Sequence, residues 1–99
     1  MRAFLIDGES QTIEALDLGS MGDVAALVGF DSVISDDVDD RNAVHFDEDC
    51  FIRGTPGRFR IDRLAPIAGK AVITGKVGDG LAADSSLDLE DLKARIEFL

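Results

Sequence analysis

The chain has 99 residues, 45% of them hydrophobic, and a formal net charge of −10. This length predicts one domain, 1–99, with a single core, and the hydrophobic content excludes a disordered tail, while the negative charge disfavours direct binding of nucleic acid or anionic lipid. The single cysteine, Cys50, excludes an internal disulfide, and no apolar run reaches a signal-peptide core or the about 20 residues of a membrane span, so we expect a cytoplasmic protein.

The N-terminal residues predict a β-hairpin. Residues 3–6 are apolar and read as a strand, and residues 7–10 contain the aspartate and glycine that favour a turn. Residues 11–18 alternate imperfectly between apolar and polar side chains, which indicates the second strand.

A short helix is predicted next. Ser20 can cap its first turn, Asp23 stands three residues later in the capping-box position, and Gly29 is placed to end it as a left-handed C′ glycine. The buried stripe of this helix is predicted to consist of Val24, Leu27 and Val28.

The middle of the chain alternates between strand and turn signals. We predict a short strand over residues 30–35, a polar turn over 36–42, and a strand over 43–46 with Val44 and Phe46 facing the core. Pro56 and Gly57 fit the central positions of a type II turn, which predicts a hairpin between residues 50–53 and 59–62.

The C-terminal third predicts a strand, a turn and a helix. Residues 70–74 form a β-branched run bounded by Gly69 and Gly75, and residues 78–80 read as a turn. A final helix capped by Ser86 or Asp88 is predicted to bury Leu89, Leu92 and Ile96. The sum is an α+β domain with a small, mostly antiparallel sheet and two short helices.

The charges are sorted along the chain. Residues 31–49 contain eight acidic residues and one basic residue, whereas residues 53–76 contain six basic residues and one acidic residue. A partner would therefore meet an acidic and a basic patch. The candidate partner-binding residues are Asp36, Asp37, Asp39, Asp40, Asp47, Glu48 and Asp49.

These carboxylates have three interpretations. In the first, they imitate the phosphates of a nucleic acid and occupy the groove of a basic nucleic-acid-binding protein. In the second, the strand that carries His45 and Asp47 lies beside the strand that carries Arg58 and Arg60, so that the two patches neutralise each other.

The third interpretation is a calcium site. An EF-hand loop aligned from Asp37 would use Asp37, Asp39 and Glu48, but Arg41 and Asn42 occupy its fifth position and its glycine position. A Ca²⁺-binding module is therefore an alternative, and no cofactor or metal is predicted.

No set of residues predicts an enzyme. Cys50 and His45 are five residues apart and would face opposite sides of one strand, so we expect a buried cysteine and a histidine on the sheet surface. The glycines and lysines of residues 69–76 do not fit a phosphate-binding loop, because their spacing is one residue too long and Val77 stands where Ser or Thr should be.

Three segments carry a family resemblance: MRAFLID at residues 1–7, RGTP at residues 53–56 and PIAGKAVITG at residues 66–75. In this order and spacing the chain resembles a group of small uncharacterised proteins of phages, plasmids and other bacterial mobile elements, known as a domain of unknown function. The resemblance implies a bacterial cytoplasm and a mobile-element setting, in which small acidic proteins often inhibit host defence. It implies no activity and no site residue.

The sequence thus predicts a non-enzymatic protein that binds a protein partner through its acidic surface. A host defence complex or a nucleic-acid-binding protein is the expected partner. The alternative is a small structural or accessory module, with a homodimer as one form, whose acidic and basic patches balance.

Overall fold

The computed structural model describes residues 1–77 and 81–99, and the turn predicted over residues 78–80 lies outside them. Two helices and nine strands are present in the described residues. The elements are β1 (Arg2–Asp7), β2 (Thr12–Asp17), α1 (Asp23–Val28), β3 (Val33–Asp37), β4 (Asn42–Asp47), β5 (Arg58–Ile61), β6 (Ile67–Ala68), β7 (Lys70–Val77), β8 (Leu81–Ala83), α2 (Leu89–Arg95) and β9 (Ile96–Phe98). The main sheet has the order β2-β1-β7-β4-β3 with β8 beside β7, and a second sheet has the order β6-β5-β9.

All strand pairs in both sheets are antiparallel, so the predicted α+β domain with a mostly antiparallel sheet is confirmed in its broad form. The helices contain only six and seven residues, and the fold is mostly β. No helix within residues 1–77 and 81–99 is long and apolar enough to cross a membrane.

The main sheet buries both of its faces. Alternate residues of the central strand β7 point to opposite sides, so Ile73 joins one apolar cluster and Val72 the other. The first cluster lies between the main sheet, the second sheet and α2, whose Leu92 is fully buried. The second lies under α1, whose Val24 and Val28 are buried as predicted.

The strand β7 is longer than its sequence pattern predicts. Gly75 does not end it, because the strand continues to Val77 and pairs there with β8. Gly75 is required for close packing instead: a Cβ atom at this position would lie 2.0 Å from the carbonyl oxygen of Asp84. The prediction that Gly75 ends this strand is therefore wrong.

Local signals predicted the two ends of the chain well. The N-terminal hairpin is confirmed by the pairing of β1 with β2, and Gly29 ends α1 at φ 95°. The side chain of Asp88 caps α2 by accepting a hydrogen bond from the Asp91 N–H at 2.8 Å. Ile96 was placed wrongly in this helix, since it begins β9.

The start of α1 differs from the prediction. Gly22 is the N-cap residue, and no side chain caps the helix. The Ser20 hydroxyl therefore does not have its predicted role. Only the reciprocal half of the capping box forms, in which the Ser20 N–H donates to the Asp23 carboxylate at 3.2 Å.

The hairpin predicted around Pro56 and Gly57 is wrong. Residues 48–54 form consecutive turns closed by local hydrogen bonds, such as the one from the Arg53 N–H to the Asp49 carbonyl at 2.9 Å. The strand β5 pairs instead with β6 and β9. Because β4 and β5 lie in different sheets, the predicted pairing between their charged faces is also wrong.

Candidate functional site

The acidic residues surround the hairpin of β3 and β4, whose turn is residues 38–41. Buried Asn42 and half-buried Asp39 build this turn. The Asp39 carboxylate accepts hydrogen bonds from the Arg41 N–H at 2.8 Å and from the Asn42 amide at 3.0 Å. The Asn42 side-chain oxygen accepts a bond from the Ser85 hydroxyl at 2.7 Å, which ties the turn to the C-terminal segment. These bonds stabilise the turn and join it to the C-terminal segment.

Of the four carboxylates around this turn, Asp36, Asp37, Asp39 and Asp40, two are neutralised by cations that are distant in the sequence. Lys76 lies 2.8 Å from the Asp37 carboxylate, and Arg95 lies 3.3 Å from that of Asp39 while also contacting Asp62. Partial burial would raise the pKa of Asp39. The hydrogen bonds from Arg41, Asn42 and Arg95 outweigh it and hold that pKa below its ordinary value.

The other two carboxylates are open to solvent. Asp36 and Asp40 are exposed, and no cationic nitrogen of the described residues lies within 4.0 Å of either. We call Asp36, Asp37, Asp39 and Asp40 the acidic hairpin surface. Its strand β3 ends the order of the main sheet, so this surface lies at a sheet edge.

The Asp47 side chain lies at the opposite end of β4 and is only 3% exposed. Its carboxylate accepts hydrogen bonds from the Ser32 hydroxyl at 2.8 Å, the Asp49 N–H at 3.1 Å and Arg53 at 2.8 Å. Burial would raise the pKa of Asp47, but these donors outweigh it and lower the pKa. Asp47 is thus buried in the domain and turned away from solvent.

The remaining predicted residues follow Asp47. Glu48 is exposed, and Asp49 makes a long contact of 3.9 Å with Arg53. The seven predicted carboxylates therefore form two separate groups, one at each end of β4. Sequence reasoning missed the partners Lys76 and Arg95, for which no local pattern exists because they are 39 and 56 residues from the acids they contact.

The loop alignment proposed for calcium does not form a site. Asp37 pairs with Ala43 beside the hairpin turn, whereas Glu48 follows the other end of the hairpin, where Asp47 pairs with Val33. In the part of the chain that the structure describes, no three carboxylate, histidine or cysteine side chains are placed to hold a metal ion.

His45 is buried, with only 6% of its surface exposed, so the prediction that it lies on the sheet surface is wrong. Its Nδ1 lies 2.6 Å from the Ser35 hydroxyl on β3, and its Nε2 lies 2.8 Å from the Thr74 hydroxyl on β7. Burial lowers the pKa of His45. Ser35 is paired directly opposite His45, so only a correct β3–β4 register could have revealed this contact.

The hydrogen-bond directions along this chain of residues follow from burial. Thr74 is fully buried, and its hydroxyl has His45 as its only side-chain partner among the described residues. The Thr74 hydroxyl is best satisfied when it donates to Nε2, which leaves Nδ1 protonated and donating to Ser35. In this tautomer His45 cannot accept the Ser35 proton. Cys50 is buried as predicted.

No family model, no curated protein and no solved structure matches this chain. The resemblance to proteins of bacterial mobile elements therefore stays a prediction.

Proposed function

We propose that the chain is a non-enzymatic interaction protein that binds a basic macromolecule through the acidic hairpin surface. One observation carries the proposal. In the described part of the chain, Asp36 and Asp40 are exposed and unneutralised, whereas Asp37 and Asp39 of the same hairpin pair with Lys76 and Arg95. Charges held on a rigid scaffold bind at a lower entropic cost than charges on a flexible tail.

The position of this surface at a sheet edge supports the same function. Carboxylates on an edge strand oppose pairing with the same strand of a second copy, because like charges would face each other. They favour a partner that brings lysine or arginine to the edge. The surface therefore selects by charge.

A basic nucleic-acid-binding protein is the partner class that we favour. Its binding groove is built for a row of phosphates, which exposed carboxylates on a fixed backbone can imitate. The net charge of −10 adds long-range attraction to such a groove. The resemblance to mobile-element proteins makes a component of host defence the expected example.

The arrangement around His45 supports a non-enzymatic function. A hydroxyl nucleophile needs a neighbouring base that accepts its proton. The contact between Thr74 and Nε2 favours the tautomer in which His45 donates to Ser35, so Ser35 stays an ordinary hydroxyl.

The proposal is tested with Asp36→Lys/Asp40→Lys, which reverses the two free charges and leaves the ion pairs of Asp37 and Asp39 intact. The control is Glu14→Lys/Glu90→Lys, which changes the net charge equally at exposed sites, one of them on the opposite edge strand β2, and removes only the long 3.9 Å contact between Glu90 and Lys93. Circular dichroism first establishes that both variants fold.

Each protein is then immobilised and exposed to a bacterial lysate, and bound DNA-binding proteins are eluted with duplex DNA. We expect the wild type and the control to retain the same proteins and the double aspartate variant to lose them. Equal capture by all three proteins, or no protein displaced by DNA, would overturn the proposal.

A further inference from the structure

Residues 48–54 form a loop with two adjacent apolar side chains in solvent. Ile52 is 88% exposed and Phe51 is 49% exposed. A single exposed apolar residue is common on a protein surface, whereas two large neighbours on one loop would both be removed from water in an interface. We call residues 48–54 the apolar loop.

Two contacts anchor the apolar loop in this exposed conformation. The Arg53 side chain binds the buried Asp47 at 2.8 Å, and the Thr55 N–H donates to the carbonyl of buried Cys50 at 3.1 Å. Because these contacts anchor both ends of the loop, the exposure of Ile52 is part of the fold. A preorganised apolar projection loses little entropy on binding.

A cleft of about 240 Å³ lies beside the same loop. The residues that line it include the apolar Val28, Phe30 and Pro56 and the charged Asp7, Glu9 and Lys70. Gly57, where φ is 81°, packs against the backbone of Glu9, which lines the cleft: an added Cβ would lie 2.1 Å from the Glu9 nitrogen.

The surface around the loop and the cleft carries unneutralised charges of both signs. Arg58 lies over the Phe51 ring, with 5.4 Å between its guanidinium carbon and the ring centroid. The preceding residue, Gly57, packs directly on the Glu9 backbone, so Arg58 and Glu9 are close to each other. Within the described residues, no ion pair closer than 4.0 Å is made by Arg58, Glu9 or Lys70. A surface with both charges close together is complementary to its own two-fold copy.

We propose that this surface binds a second copy of the chain. Ile52 of one protomer enters the cleft of its partner, and Arg58 of each protomer faces Glu9 of the other across the two-fold axis. The interface is separate from the acidic hairpin surface, because the hairpin turn precedes β4 and the apolar loop follows it, at the opposite end of the strand.

The first experiment is sedimentation velocity on the whole chain up to about 0.5 mM, a range in which millimolar and tighter dimers are detectable. We expect a concentration-dependent dimer that Ile52→Asp weakens by about 30-fold or more, the loss typical of a central apolar anchor. Val77→Asp is the matched control: Val77 is 56% exposed, at the far end of β7 from Lys70, and this variant should still dimerise.

The second experiment exchanges charges between two chains. Arg58→Glu alone and Glu9→Arg alone place like charges in both contacts of a homodimer, so each variant should be monomeric. A mixture of the two restores both contacts and should form a heterodimer. A wild-type monomer at every concentration, a dimer unaffected by Ile52→Asp, or a mixture that stays monomeric while the wild type dimerises would each overturn the proposal.

Discussion

The ion pair between the exposed Arg53 and the buried Asp47 should stabilise the domain, and its disruption should leave a buried charge without its cation. Removing one partner of a fully buried pair costs about 3–5 kcal/mol, since the other charge is left without compensation. Here Arg53 is 38% exposed, while Asp47 keeps two further donors, the Ser32 hydroxyl and the Asp49 N–H. We therefore expect Arg53→Ala to lower the free energy of unfolding by about 2 kcal/mol, below that range.

The double variant separates the stranded charge from the lost packing. Asp47→Asn keeps the volume of the side chain and removes its charge, and Arg53 can then turn to solvent. This change should cost about 1 kcal/mol, the value of an ordinary hydrogen bond. In Arg53→Ala/Asp47→Asn no unpaired charge is buried, so the combined loss should fall short of the sum by about 1 kcal/mol or more.

Urea unfolding at neutral pH, followed by circular dichroism, measures all four free energies of unfolding. The pKa of Asp47 is lowered in the folded protein, so its contribution is fully present at neutral pH and is lost only as the pH falls through that lowered pKa. Losses that add within about 0.4 kcal/mol would refute the assignment of Asp47 as a buried charge held by Arg53.

Two further predictions concern the centre of the sheet. Because the pKa of His45 is lowered in the folded state, the unfolded chain binds the proton more tightly. The free energy of unfolding should therefore fall as the pH drops below about 6.5 and level off below the folded pKa. Urea titrations across pH 7.5 to 5 should show this pH dependence in the wild type and not in His45→Gln, and an equal pH dependence in both would contradict the prediction. Gly75→Ala should cost about 3 kcal/mol or more, because the new Cβ meets a backbone carbonyl. The control Gly22→Ala has a helical φ and its nearest atom at 3.4 Å, so it should change stability by less than about 1 kcal/mol. Similar thermal unfolding of the two variants would contradict the close packing at Gly75.

Features fixed by neighbouring residues could be predicted from the sequence. The left-handed Gly29, the Asp88 cap and the N-terminal hairpin each depend on side chains within a few positions. The hairpin at Pro56 failed for the opposite reason. Its second strand was correct, but the chain supplied other partners for it, one of them β9, in which Ile96 pairs with Ile61 across 35 residues.

The candidate site shows the same division between local and distant information. The cluster of carboxylates is visible in the sequence, and so is its position near a turn. Which carboxylates stay free is decided by Lys76 and Arg95, which arrive from β7 and α2. Alternation along β4 placed Val44 and Phe46 toward one core, but it could not show that α1 covers the other face of the sheet, where His45 pairs with Val72.

The two proposed surfaces have a joint consequence for binding. They lie at opposite ends of β4, which are about 17 Å apart because the strand has six residues. A dimer formed through the apolar loop would therefore leave both acidic hairpin surfaces uncovered. Such a dimer would bind two adjacent basic sites as one unit, so the second contact would form at a high effective concentration and strengthen binding without any new contact. Partner binding would rest on the exposed charges of Asp36 and Asp40, whereas the contact between protomers would also bury Ile52, so added salt should weaken partner binding more than it weakens the dimer.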